Sequence, residues 1–188
     1  MSLQRAIKLS TFWFLLSVIA LAPAQGSNED RWISDLHFDE LNQEAPDLSF
    51  VDATGKSLSL SSYRGKAILL HLWATWCKPC QKELPDLENF SKQLDSREWV
   101  FLPIAVNEPS ERVQLEKFLK TIPVAVPLFQ VRQSTNSEKY QTWGLPATYV
   151  ISPTGKILAR ALGRRDWLGI PNAARDLNAA FVPAKKDK

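Results

Sequence analysis

An apolar run that breaks and hands two cysteines to the start of a helix constrains this chain more than any other feature. Ala67-Ile68-Leu69-Leu70-His71-Leu72-Trp73 reads as a buried strand, Ala74-Thr75 interrupts it, and Trp76-Cys77-Lys78-Pro79-Cys80 opens a helix. At a helix start the unpaired backbone N–H groups and the positive end of the dipole stabilise an anion, so Cys77 stands where a thiolate costs least. The thiolate is the reactive form, and a free cysteine pKa of about 8.5 falls by one to several units in such settings. Cys80 comes round to the same side of the helix, so the two sulfurs can close a disulfide and reopen it. Pro79 fits because the first helical turn tolerates a residue without an N–H.

Two blander readings compete. Half of a zinc site would want two more Cys or His ligands at short spacing, and the chain offers only His37 and His71, the latter inside a strand. A purely structural disulfide would close so small a loop that it removes little unfolded-state entropy. Strand, CxxC and helix in that order favour redox chemistry over both.

A chain of 188 residues suggests one domain large enough to bury its own core, and 45% hydrophobic residues with seven Trp describe a globular protein. The formal charge is +3; with Arg5 and Lys8 of a leader set aside it is about +1, which is no nucleic-acid signature. Residues 1–24 have the parts of a secretory signal: Arg5 and Lys8, the apolar run Thr11 to Ala22, and Ala22-Pro23-Ala24 as a small-x-small cleavage site. The run is shorter than the ~20 apolar residues of a spanning helix, so cleavage after Ala24 is expected, with an uncleaved anchor over residues 10–24 as the alternative. Either places Cys77 outside the cytoplasm, most simply in a periplasm. An exported domain that used cysteine for staples would carry several scattered pairs; this one has a single adjacent pair. Residues 183–188 read as a solvated basic tail.

Trp76-Cys77-Lys78-Pro79-Cys80 after a hydrophobic strand resembles the thioredoxin-like fold, and the flanking residues resemble its extracytoplasmic TlpA/ResA group of thiol-disulfide oxidoreductases. The likeness runs from about Leu48 to about Phe181. It implies an α/β three-layer sandwich with a central mixed sheet, an N-terminal β-hairpin and a helix-strand insertion, over residues 47–182.

Residues 25–46 read as a linker or a short amphipathic helix. Leu48–Val51 and Lys56–Leu60 flank Asp52-Ala53-Thr54-Gly55, a hairpin turn in which Gly supplies positive φ, and Ser61–Lys66 makes one capped turn. The active-site helix continues to about Ser96 with Leu84, Leu87, Phe90 and Leu94 inward, interrupted by Pro85. Trp99–Val106 is a buried strand in which Pro103 calls for an edge-facing N or a bulge. Ser110–Lys120 reads as a helix capped by Ser110 with Val113, Phe118 and Leu119 inward; Val124–Phe129 is extended, and Ser137–Thr142 helical. Gly144–Ile151, the turn Ser152–Lys156 and Ile157–Ala161 form an antiparallel hairpin, followed by a loop whose Arg164-Arg165 reads as solvated and a closing helix Pro171–Phe181. The resemblance implies that Pro146 is cis and lies against Cys77.

In the chemistry so implied, Cys77 is the exposed nucleophile and Cys80 the shielded resolver, joined in turn as a redox-active disulfide. Trp76, Pro79 and the Leu145-Pro146 backbone line a groove for a disulfide-bearing protein substrate held as a short extra strand. Cys80 must lose a proton, and two groups are candidates for proton transfer. Glu83 lies one turn beyond, at an offset that resembles a proton-handling Glu of ResA-like proteins; its bland reading is a solvated helix-start acid. His71 sits six residues before Cys77, where thioredoxin keeps a buried Asp; its bland reading is a core histidine satisfied by one hydrogen bond. The resemblance implies a reductase re-reduced by a membrane thiol donor, with cytochrome c maturation among typical duties. An oxidase or isomerase, and a binding module without turnover, remain open alternatives, while a peroxidase would want a cysteine outside the CxxC pair. No metal or cofactor is expected, and a monomer is.

Overall fold

Residues Ala67–Trp73 form a strand, β4, buried along its whole length. Such a strand needs pairing on both edges and cover on both faces. In the computed structural model, which describes residues 31–140 and 144–181, β4 pairs in parallel with β5 (Trp99–Ala105) and antiparallel with β7 (Ala147–Ile151). The sheet has eight strands in the order β1-β8-β7-β4-β5-β6-β2-β3. Its remaining members are β1 (Asp39–Glu44), β2 (Ser49–Val51), β3 (Ser57–Ser59), β6 (Phe129–Val131) and β8 (Lys156–Leu162). Among the described residues, four α-helices accompany it: α1 (Arg31–Asp35), α2 (Lys78–Ser91), α3 (Arg112–Leu119) and α4 (Ala173–Phe181).

Strand alternation divides the core. Ile68, Leu70 and Leu72 of β4 share a cluster with Leu115 of α3 and, over the sheet edge, with Cys77, Cys80 and Leu84. Ala67 and Leu69 share the other with Leu87 and Phe90 of α2 and Ala174 and Leu177 of α4. The helices therefore cover both faces of a mixed sheet, which is the expected three-layer arrangement.

Several expectations are corrected in detail. Residues 25–46 are not a plain linker in the part described: after α1, β1 pairs antiparallel with β8, and Leu36 and Phe38 are buried in the second cluster. The β2–β3 hairpin is as expected, with Gly55 at φ 82°. α2 ends at Ser91, five residues early, and the Asp95 N–H beyond it is taken by the Asn178 side chain of α4 at 2.9 Å. Pro103 needs no bulge, because the β4–β5 register runs unbroken through His71 and Pro103 and β6 joins β5 only from Ile104. Ser110 caps nothing: residues 109–111 are a 3₁₀ turn in which the Glu111 carboxylate accepts the Glu108 N–H at 2.9 Å. Val113 points outward at 57% exposure, and Leu115 is the buried residue of α3. The inserted strand is Phe129–Val131 rather than residues 124–129, and the helix expected over 137–142 is, in its described part, a 3₁₀ helix that starts earlier, at Ser134–Tyr140; its expected end at Thr142 lies outside the described residues. The closing helix starts two residues late, after Asn172 at φ 69°. The leader 1–24 and the tail 183–188 also lie outside the described residues. Among the described residues, no helix is long and apolar enough to cross a membrane.

Candidate active site

β4 ends at Trp73, and the chain crosses Ala74, Thr75 and Trp76 before α2 begins, so the helix start is delivered to the C-terminal edge of the central strand. Cys77 is the N-cap residue in extended conformation, and its sulfur accepts the Cys80 N–H at 3.3 Å. The backbone N–H that would otherwise be orphaned at the helix start thus points at this sulfur. Cys77 and Cys80 are joined as a disulfide with Cα atoms 5.3 Å apart. Cys80 is fully buried and Cys77 retains 6% exposure. The outer sulfur is therefore the accessible one, though less open than the sequence suggests.

The loop that presents Cys77 is braced by residues that no motif singles out. Asn107, fully buried just beyond β5, accepts the Thr75 N–H at 3.0 Å and donates to Thr75 Oγ1 at 2.7 Å. The Gln130 side chain holds Asn107 from behind by donating to its carbonyl at 3.3 Å, and Gln81 donates to the Thr75 carbonyl. A polar residue straight after a fully apolar strand was the available signal for Asn107. Trp76 and Pro79 flank the disulfide on the solvent side, Trp76 at 62% exposure.

The Leu145-Pro146 bond is cis. Ala147 pairs with Leu72, so this bond lies at the same sheet edge from which the Cys77 loop departs. Pro146 is buried and Leu145 half-buried, and the Pro146 carbonyl accepts the Gly163 N–H at 2.8 Å.

Glu83 is not the solvated acid of its bland reading. It is 0% exposed, on the α2 stripe that continues through Leu87 and Phe90 to the sheet. Its Oε1 accepts from the indole N–H of Trp167 and, at 3.3 Å, from the Arg165 N–H; its Oε2 is buried with no partner. Burial pushes its pKa up to about 7, against the opposing pull of the Trp167 and Arg165 hydrogen bonds and the charges of Arg165 and Arg164.

His71 is fully buried, and its Nδ1 lies 2.9 Å from Thr148 Oγ1 across the β4–β7 pair, while Nε2 has no partner. Burial pushes its pKa down to about 3. It is neutral at physiological pH and makes no hydrogen bond to Glu83. Strand alternation puts it with Leu69 on the face covered by α2. The geometry matches a core histidine tied by one bond, whereas Glu83 carries a free oxygen one helical turn past Cys80.

The AhpC/TSA family model matches residues 41–160. The chain is 32% identical over 120 residues to the thiol-disulfide oxidoreductase ResA of Bacillus subtilis, covering 64% of this chain and 66% of that protein. It is 35% identical over 119 residues to the thioredoxin-like protein YneN of the same organism, covering 61% and 67%. Its match to ResA thus spans just under two thirds of that protein's length. Among solved structures, it superposes on a thiol:disulfide interchange protein of the thioredoxin family from Chlorobium tepidum with TM-score 0.57 and 29% identity, covering 76% of this chain and 98% of that one.

Proposed function

This chain belongs to the AhpC/TSA family, and on that footing we propose that it is a thiol-disulfide oxidoreductase that reduces disulfides of exported proteins. The observation that carries the reading is the pairing of Cys77 and Cys80 at the start of α2, with the buried carboxyl of Glu83 three residues beyond the inner cysteine. The names of the similar proteins, thiol-disulfide oxidoreductase and thiol:disulfide interchange protein, support it.

The reduced enzyme presents Cys77 as a thiolate, stabilised by the helix-start N–H groups. That thiolate attacks one sulfur of the substrate disulfide, forming a mixed disulfide and expelling the first substrate thiolate. Glu83 takes the Cys80 proton, and the Cys80 thiolate attacks the Cys77 sulfur. The Cys77–Cys80 disulfide forms, the second substrate thiolate leaves, and two electrons have passed to the substrate. A membrane dithiol donor returns them. Trp76, Pro79 and the Leu145 backbone beside cis-Pro146 form the groove that receives the substrate chain. The apparent secretory signal in residues 1–24 supports an extracytoplasmic, periplasmic setting, and assembly of c-type cytochromes is a duty of the kind this reading includes.

Turnover of a disulfide-bearing protein such as insulin under a dithiol donor tests the reading. Wild-type protein reduces it, Cys77→Ser abolishes the reaction, and equilibration with glutathione gives a potential nearer about −270 mV than about −120 mV. Turnover that survives Cys77→Ser would refute it, and so would a wild-type protein that binds the substrate without reducing it, as a module that merely holds partners requires.

A further inference from the structure

The loop after β8 contains Arg164-Arg165-Asp166-Trp167, of which sequence alone places Arg164-Arg165 in solvent. Instead the Trp167 side chain is buried, packed against Phe90 of α2 at 5.2 Å and Phe38 of the N-terminal segment at 6.1 Å between ring centroids. Its N–H is aimed at Glu83 Oε1. The Arg165 guanidinium reaches in the other direction, donating to the carbonyls of Leu36 at 3.2 Å and His37 at 3.2 Å, and to those of Leu162 at the end of β8 and Gly163 in its own loop. That clamp fixes the Arg165 backbone, whose N–H is the second donor to the same oxygen. Two donors from one loop, locked to the N-terminal segment, thus converge on Oε1 and leave Oε2 alone.

We propose that Trp167 and Arg165 are positioning residues that grip one oxygen of Glu83, fix the pH at which it ionises, and leave the other oxygen as the one that exchanges a proton. The significance for turnover rests on the proton role given to Glu83 above. Both donors stabilise the carboxylate over the acid. Without them, burial would hold Glu83 protonated well above neutral pH and deprive Cys80 of a base. The ionised groups that act on Glu83 are Arg165 and Arg164 of this loop. The sheet face below contributes His71, which is neutral; the N-terminal segment contributes apolar Leu36 and Phe38; and the charged residues of α4, Arg175 and Asp176, pair with each other at 3.0 Å.

Trp167→Phe keeps a ring between Phe38 and Phe90 and deletes the donor. The test follows the Glu83 carboxyl by ¹³C NMR across pH in the full protein, its resonance assigned by loss in Glu83→Gln, alongside the pH profile of mixed-disulfide resolution. Trp167→Phe should raise the Glu83 midpoint by about one pH unit. Arg165→Gln, which loosens the clamp and removes a favourable charge, should move it in the same direction. A midpoint unmoved in both folded variants overturns the proposal. If the midpoint moves while the resolution profile stays where it was, the grip stands and the proton role of Glu83 falls.

Discussion

Burial acts on Glu83 and His71 with opposite sign, because it disfavours the charged form of each. Glu83 is raised from 4.5 to about 7, so its folded form keeps a proton that the unfolded chain releases. Its contribution to stability is full below pH 4.5 and lost as pH rises through about 7. His71 is lowered from 6.5 to about 3, so its contribution is present above pH 6.5 and lost as pH falls toward about 3. Between these limits the two slopes oppose. Glu83→Gln removes one of them: relative to wild type, its unfolding free energy in urea should gain steadily from pH 4.5 to 7, by up to about 3 kcal/mol. Parallel curves would contradict the buried ionisation. His71→Gln should flatten the acid side and leave turnover near wild type, since His71 is tied to Thr148 and not to the sulfurs. The sequence could name Glu83 and His71 but not rank them, because the ranking depends on which side chain meets a second donor from a distant loop.

Elements differ in how plainly their sequences announce them. β4 and β7 are apolar apart from His71 and Thr148 and are buried along their whole length, so their strands could be read directly. β1 could not: Asp39–Glu44 is DELNQE, almost wholly exposed, and what the fold uses is its backbone, paired to β8. The same holds for the ends of α2 and α4, which are set by Asn178 and by the left-handed Asn172 rather than by hydrophobic period. Two predictions belong at this scale. Leu36→Ala, which opens the core beneath Trp167, should cost about 2–5 kcal/mol in urea unfolding. Asn107→Ala leaves the Thr75 N–H without its acceptor; it should cost about 1–3 kcal/mol and raise amide exchange at Thr75 selectively. Equal protection of Thr75 in variant and wild type would show that the brace is dispensable.

At the scale of the molecule, the eight-stranded sheet brings to one edge parts that are far apart in the chain: the Cys77 loop after β4, Asn107 after β5, and cis-Pro146 before β7. The N-terminal segment and the loop after β8 close around Glu83 from the helical side. The cysteine pair and the strand beneath it were legible because each depends on a few adjacent residues; the cis bond before Pro146 was reached only through the family resemblance. The grip on Glu83 and the brace on Thr75 were not, since they depend on partners distant in sequence: the Trp167 side chain and Arg165 backbone for Glu83, and Asn107 for Thr75. The central claim is that Cys77 takes the substrate sulfur and Cys80 releases it. Its most direct measurement is mass spectrometry of Cys80→Ser after exposure to a disulfide-bearing protein: a stable adduct on Cys77 that free thiol dissolves is the predicted result, and an unmodified Cys77 with substrate still oxidised would contradict it.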